Sequence, residues 1–187
     1  MGILREPADF VQKLVKDLPP QFSVCELGDQ WVTYGTPHVL ARDFYRELGC
    51  GRYDSIDGNG RGTITWDLNQ KWVGGKRYDL VTDFGTGEHI FNQANVWRTL
   101  HVLTKVGGYI VFDRPHAGYP EHCYYNIHKC VLEDVAAANR YRVLRLEHAK
   151  TVRGELWRGV FQKVDSGKFQ VPQQGRYRKI LTPICPT

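Results

Sequence analysis

The stretch Tyr78-Asp79-Leu80-Val81-Thr82-Asp83-Phe84-Gly85-Thr86-Gly87-Glu88-His89 decides how the chain is read. Its first half is a short, mostly apolar run, the pattern of a strand buried in a parallel sheet. Its second half turns on glycines and carries polar groups. Residues Ile90 to Thr104 then show helical spacing and stop before Gly107-Gly108. The stretch is thus a strand, a functional loop and a helix.

The same unit recurs on both sides. Upstream, Phe22 to Leu27 is an apolar run ending at Gly28. Tyr53 to Asp57 and Thr63 to Asp67 predict two more strands, and Gly58 to Gly60 form a turn between them. Pro37 to Leu48 predicts a helix with Thr36 as its cap and Gly49 as its stop. Downstream, Tyr109 to Asp113 predicts a fifth strand, followed by a loop from Arg114 to His122 and a helix over 126–139. Arg142 to Glu147 and Glu155 to Val164 predict two late strands. At the N-terminus, Phe10, Val11, Leu14, Val15 and Leu18 set a helix over 8–18, ended by Pro19-Pro20. The tail, 165–187, has no clear period.

Alternating strands and helices imply an open α/β sheet. Right-handed crossovers align the strands' carboxyl ends along one edge, where such sheets bind ligands. The 187 residues are expected to form one domain. Hydrophobic residues make up 42% and charged residues 24%, an ordinary globular balance. No apolar run reaches the ~20 residues of a membrane span, and Met1 to Pro7 lacks a signal-peptide pattern, so a cytoplasmic protein without a membrane partner is the expectation. The five cysteines include no Cys-x-x-Cys pair, so their spacing points to neither a disulfide framework nor a zinc site. The net charge of +5 and the basic cluster Arg176, Arg178 and Lys179 leave nucleic acid open as a partner, with a solubilising surface as the plainer reading.

The candidate site residues stand just past successive strands. Gly28 either lets the backbone approach a ligand or is a plain turn glycine. Asp57 can accept hydrogen bonds from a ribose or cap its own turn. Asp67, with Leu68, either borders an adenine or caps a turn. Glu88 and His89 are acid–base candidates, while Glu88 equally suits the first turn of a helix. His116 and His122 are further candidate bases, or ordinary loop residues. Trp31, Tyr34 and Tyr119 can wall a site or pack a core.

The ordered set Glu26-Leu27-Gly28, Ser55-Ile56-Asp57, Trp66-Asp67-Leu68, Tyr78 to Asp83 and Leu103 to Val111 resembles the motif series of class I S-adenosylmethionine-dependent methyltransferases. The segment from Phe84 to Asn92, with Glu88-His89-Ile90-Phe91-Asn92 as its sharpest part, is similar to one small branch of them. His122 to Ile127 and Ala136 to Tyr141 look like that branch's later motif. The resemblance covers roughly residues 20 to 164.

It implies a Rossmann-like three-layer sandwich whose seven-stranded, mostly parallel sheet has its last strand antiparallel. It implies S-adenosyl-L-methionine as cofactor, S-adenosyl-L-homocysteine as product, and an oxygen or nitrogen of an unidentified acceptor as target, a small molecule before a nucleic acid. Glu26 and Gly28 would lie in the first cofactor motif, Asp57 would hold the ribose, and Asp67 with Leu68 would border the adenine. Asp83, Phe84 and Gly85 would pass the methionine portion, and Glu88 and His89 would face the methyl or the acceptor. The first motif departs from the pattern: Gly28 is followed by Asp29, Gln30 and Trp31, with no glycine until Gly35. A non-catalytic Rossmann-like binding module and a nucleic-acid methyltransferase are the alternatives.

Overall fold

The computed structural model describes residues 2–34, 38–173 and 175–177. Nine strands and four α-helices lie among them. In chain order they are α1 (Arg5–Leu14), β1 (Ser23–Leu27), β2 (Trp31–Val32), β3 (Val39–Leu40), α2 (Ala41–Glu47), β4 (Arg52–Asp57) and β5 (Ile64–Thr65). Then come β6 (Tyr78–Phe84), α3 (Gln93–Leu103), β7 (Thr104–Ala117), α4 (Lys129–Ala138), β8 (Arg142–Thr151) and β9 (Gly154–Gln162).

Seven strands form one sheet in the order β5-β4-β1-β6-β7-β9-β8. The first five are parallel neighbours. The last strand, β9, is inserted antiparallel between β7 and β8. This is the expected seven-stranded, mostly parallel sheet of a Rossmann-like sandwich. The order reverses at β1, whose neighbours are β4 and β6, so the rim beyond β1 is the switch point where a ligand is expected.

Alternation along the strands separates two cores. One face packs α3 and α4 through Leu27, Val81, Trp97, Leu100, Phe112 and Phe161. The other packs α1 and α2 through Val11, Val24, Phe44, Leu80, Val111 and Val160. Strand β1 is buried at every position, as a central strand covered on both faces must be.

The element boundaries moved for local reasons. Strand β7 runs far beyond the expected 109–113, because pairing with β9 carries it through Arg114, Pro115 and Ala117. Trp31–Val32 and Val39–Leu40 form a small antiparallel ribbon that was not expected. Helix α2 therefore starts at Ala41, while the proposed cap Thr36 and first residue Pro37 lie outside the described residues, as do Arg178 and Lys179. The first part of the tail lies against the helices. Gln170 and Asn139 exchange hydrogen bonds, and Gly167 O meets the His101 ring at 2.8 Å.

A buried lysine also holds an element together. Lys163 Nζ donates to His101 O at 2.7 Å and Thr104 O at 3.1 Å. These carbonyls close the C-terminal end of α3, where a helix leaves acceptors without partners and favours a cation.

Candidate active site

The rim past β1, β4 and β6 carries most of the expected residues. Gly28 has φ +82°, a left-handed conformation that suits glycine. Its N–H donates to Ile56 O at 2.8 Å, tying the turn to β4. The next N–H, of Asp29, donates to Asp57 Oδ2 at 3.0 Å, and Asn59 N donates to Asp57 Oδ1 at 2.9 Å. Asp57 thus faces the loop after Gly28. Each of its oxygens keeps a lone pair for a further donor.

The space directly over Gly28 is taken. A Cβ there would lie within 2.2 Å of Thr86 Oγ1 and 2.6 Å of Gln30 Nε2. Gln30 Nε2 donates to Thr86 Oγ1 at 2.9 Å, and Thr86 Oγ1 donates to Leu27 O at 2.9 Å. The glycine therefore admits side chains of its own protein.

Glu26, two residues before Gly28 on β1, is wholly buried. Tyr53 Oη donates to its Oε2 at 2.8 Å, while Oε1 has no hydrogen-bond partner among the described residues. Burial pushes its carboxyl up to about 8, against the pull of the Tyr53 hydroxyl and the Gln30 backbone. Gln30 Oε1 is a second buried acceptor without a partner there.

Asp67 is exposed, and its Oδ1 accepts from Asn69 N at 2.8 Å and Asn69 Nδ2 at 3.0 Å, a turn-capping arrangement. Leu68 is buried in the α3/α4 core, where its carbonyl accepts from Asn95 Nδ2 at 2.8 Å.

Past β6, Asp83 is buried and its Oδ1 accepts from Thr86 N at 3.2 Å and Gly87 N at 3.0 Å. Its Oδ2 meets Arg114 Nη2 at 2.5 Å, and Glu88 Oε2 lies 3.8 Å from Arg114 Nη1. All three side chains are inaccessible to solvent. Arg114 also stands over the Trp97 ring, 5.4 Å from its centroid. Burial, more than Asp83, pushes Glu88 up to about 7, against the pull of Arg114. His89 stays accessible. Partial desolvation and the nearby His122 lower its pKa, so the imidazole is neutral near pH 7. The two rings stand edge to face with centroids 5.0 Å apart.

A cleft of about 740 Å³ opens at this end of the sheet. Phe84, Gly85, Glu88, Trp31 and Tyr119 line it, together with His38 and Asp113. Its roof comes from Leu4 and Pro7 at the start of α1 and from Val152 and Arg153 at the β8–β9 turn. Ile3 N donates to Trp31 O at 2.8 Å, and Thr33 N donates to Ile3 O at 2.9 Å, which pins the N-terminal segment as a wall. His116 does not line the cleft. Its Nδ1 meets Ile127 O at 3.2 Å, and its ring packs among His128, His148 and Trp157. Of the other expected residues, Glu26, Gly28, Asp57, Asp67, Leu68, Asp83 and His89 do not line the cleft either.

Arg114 is the residue that sequence reasoning missed at this site. The one available signal was its position, directly after an apolar strand and followed by proline.

This strand order, with an antiparallel last strand, is the fold of class I methyltransferases. Solved structures share it. The chain is similar to the 1,6-didemethyltoxoflavin-N1-methyltransferase of Burkholderia thailandensis, with TM-score 0.61 and 15% identity over 85% of this chain and 77% of that one. It is similar to the N-methyltransferase NodS of Bradyrhizobium japonicum WM9, with TM-score 0.62 and 14% identity over 86% and 96%. It is also similar to the magnesium protoporphyrin IX methyltransferase ChlM of Synechocystis PCC 6803 with bound SAM, with TM-score 0.57 and 16% identity over 84% and 78%. At these identities the likeness is one of fold. No family model and no curated sequence matches the chain. Among the described residues, no helix is long and apolar enough to cross a membrane.

Proposed function

We propose that the chain is an S-adenosylmethionine-dependent methyltransferase that acts on an oxygen or nitrogen of a small molecule bound in the cleft. One observation carries this reading. On a sheet of methyltransferase order, the Asp57 carboxylate at the end of β4 turns to the loop after Gly28. That is where a nucleoside's ribose is held in such sheets. The named neighbours include one with bound SAM, and its fold relation to this chain adds support.

The residues present fit the cofactor. Asp57 keeps acceptor capacity for ribose hydroxyls. Gln30 Oε1 is a buried acceptor without a partner among the described residues, and Glu26, which burial keeps protonated below about pH 8, would regain a compensated charge beside an ammonium group. Phe84 and Gly85 line the cleft where the methionine portion would run. Asp67 is exposed, and an adenine amine would have to share it with the Asn69 turn that its Oδ1 already caps. The cofactor supplies an already activated methyl group, so the protein's task is alignment and exclusion of water. Alignment alone is worth ~7–11 kcal/mol in favourable cases.

The cleft's volume of about 740 Å³ lies within the usual range for small-molecule sites. Its walls are mostly apolar, with the aromatic residues Trp31, Phe84 and Tyr119 among them. His89, next to the cleft-lining Glu88, would serve as the base for a hydroxyl acceptor only while no metal ion occupies its imidazole. His116 is set aside from that role by its packing among His128, His148 and Trp157. The small cleft favours a small molecule over nucleic acid.

A second reading has its own observation. Thr86 and Gln30 fill the space over Gly28, which suits a binding module that no longer takes the cofactor. Calorimetry with S-adenosylhomocysteine separates the two. The enzyme reading expects saturable binding that Asp57→Ala weakens by about 1.5–3 kcal/mol, the value of a hydrogen bond to a charged group. Equal affinity in the variant removes Asp57 from the site, and absent binding favours the module.

A further inference from the structure

Glu88 and His89 on the loop after β6 and His122 on the loop after β7 meet in space. One ligand atom from each of Glu88, His89 and His122 lies within 4.8 Å of the others. Methyl transfer does not need three such groups together.

Charge explains why the cluster calls for a partner. Glu88 is wholly buried, and neither carboxylate oxygen has a hydrogen-bond partner among the described residues. Arg114 is the nearest cation, but Asp83 takes its guanidinium at 2.5 Å while Glu88 stays 3.8 Å away. Two buried carboxylates thus share one guanidinium. A buried carboxylate left uncompensated is costly. The free side of Glu88 faces two imidazoles, and a neutral imidazole is a ligand for a metal ion.

We propose that Glu88, His89 and His122 form a binding site for a first-row divalent cation, with Zn²⁺ the best match. Two histidines and one glutamate are a known catalytic zinc set, in which a further position stays open. Glu88 lines the cleft, and so does Tyr119, whose ring centroid is 5.7 Å from that of His122. A cation held here borders the cleft and can polarise an oxygen donor bound in it. The suitable cleft ligand is therefore a hydroxyl or carboxylate compound.

A second cluster, His116, His148 and Glu155, also has ligand atoms within 4.8 Å. It is already served: His148 Nε2 lies 2.8 Å from Glu155 Oε2, and Lys150 Nζ lies 3.8 Å from Glu155 Oε1. It provides the control.

The test uses the full chain, stripped with a chelator and titrated with Zn²⁺ against a chromophoric competitor. Co²⁺ added to the same protein reports coordination through its visible bands. One tight equivalent is expected. His89→Ala and His122→Ala, both at exposed positions, should each weaken it at least about tenfold, since even outer-shell changes cost 10–100-fold. His148→Ala should leave it unchanged. No tight binding by the stripped chain overturns the proposal. So does affinity unchanged in either His89→Ala or His122→Ala, or affinity lost in His148→Ala. The readout is metal, so a protein that binds Zn²⁺ but not S-adenosylhomocysteine keeps this site and loses the methyl-transfer reading.

Discussion

Arg114 reaches from β7 to Asp83 on β6, Nη2 to Oδ2 at 2.5 Å, with neither side chain accessible to solvent. Asp83 in turn accepts from two N–H groups of the loop that leads to Glu88. The pair therefore fixes the shape of the loop at the cleft's edge. Removing one partner of a buried ion pair leaves the other charge without compensation. Arg114→Met should lower unfolding stability by about 3–5 kcal/mol, read from urea denaturation. A loss under 1 kcal/mol would mean that the pair is solvated or replaceable.

Gly87 makes room for that guanidinium. A Cβ at Gly87 would lie 2.1 Å from Arg114 Nη1. The guanidinium cannot simply swing away, because Asp83 holds it and Trp97 lies beneath it. Gly87→Ala should cost about 1–3 kcal/mol, the usual range for overpacking a filled interior. Combined with Arg114→Met, the glycine change should cost much less, and a double-mutant cycle measures that difference.

Glu26 makes stability depend on pH, and the sign can be worked out. Its carboxyl has an ordinary value of 4.5 and rises to about 8 in the folded chain, chiefly through burial. The folded state then binds more protons than the unfolded state between those values. Its contribution is fully present below 4.5 and is lost as pH rises through about 8. The titratable groups near it are Tyr53 from β4, Tyr45 from α2 and Asp29 from the loop. Both tyrosines are raised above their ordinary range by burial, so neither titrates in this window. Glu26→Gln keeps an acceptor for the Tyr53 hydroxyl and cannot ionise. Its unfolding midpoint should fall less between pH 5 and pH 8 than that of the parent. Parallel pH profiles would remove Glu26 as the source.

The fold was legible because its signals are local. Phe22 to Leu27 and Tyr78 to Asp83 are short apolar runs closed by glycine, and both became buried central strands. Asp57 could be placed at the rim because it ends such a run. Residues that act through distant partners carried no comparable signal. Asp83 and Glu88 looked like free polar groups of a loop, while the folded chain buries both beside Arg114. Gln30 and Thr86 meet over Gly28 only once β1 and β6 lie side by side. The β2–β3 ribbon is two residues per strand, too short for any alternation to show. His116 and His122 share the reading of loop histidines in the sequence, and β7's extension along β9 takes His116 into a strand.

Gln30 decides how the unusual first loop treats a ligand, and the two possibilities have opposite signs. Its side-chain nitrogen is spent on Thr86, and its buried oxygen has no partner among the described residues. If that oxygen receives a donor from S-adenosylhomocysteine, Gln30→Ala loses a hydrogen bond and should weaken binding by about 0.5–1.5 kcal/mol. If the side chain merely crowds the loop, the same change removes an obstacle and should tighten binding. The Gln30–Thr86 bond lies at a cradle with too little room for even a methyl group, so truncation must alter the loop in either case. We expect weakening, because a buried amide oxygen gains from a donor and has no other in reach. Calorimetric affinities for the parent and Gln30→Ala, compared with those for Thr86→Ala, check the sign. Tighter binding in both variants would make the Gln30–Thr86 contact a plug over the cofactor position.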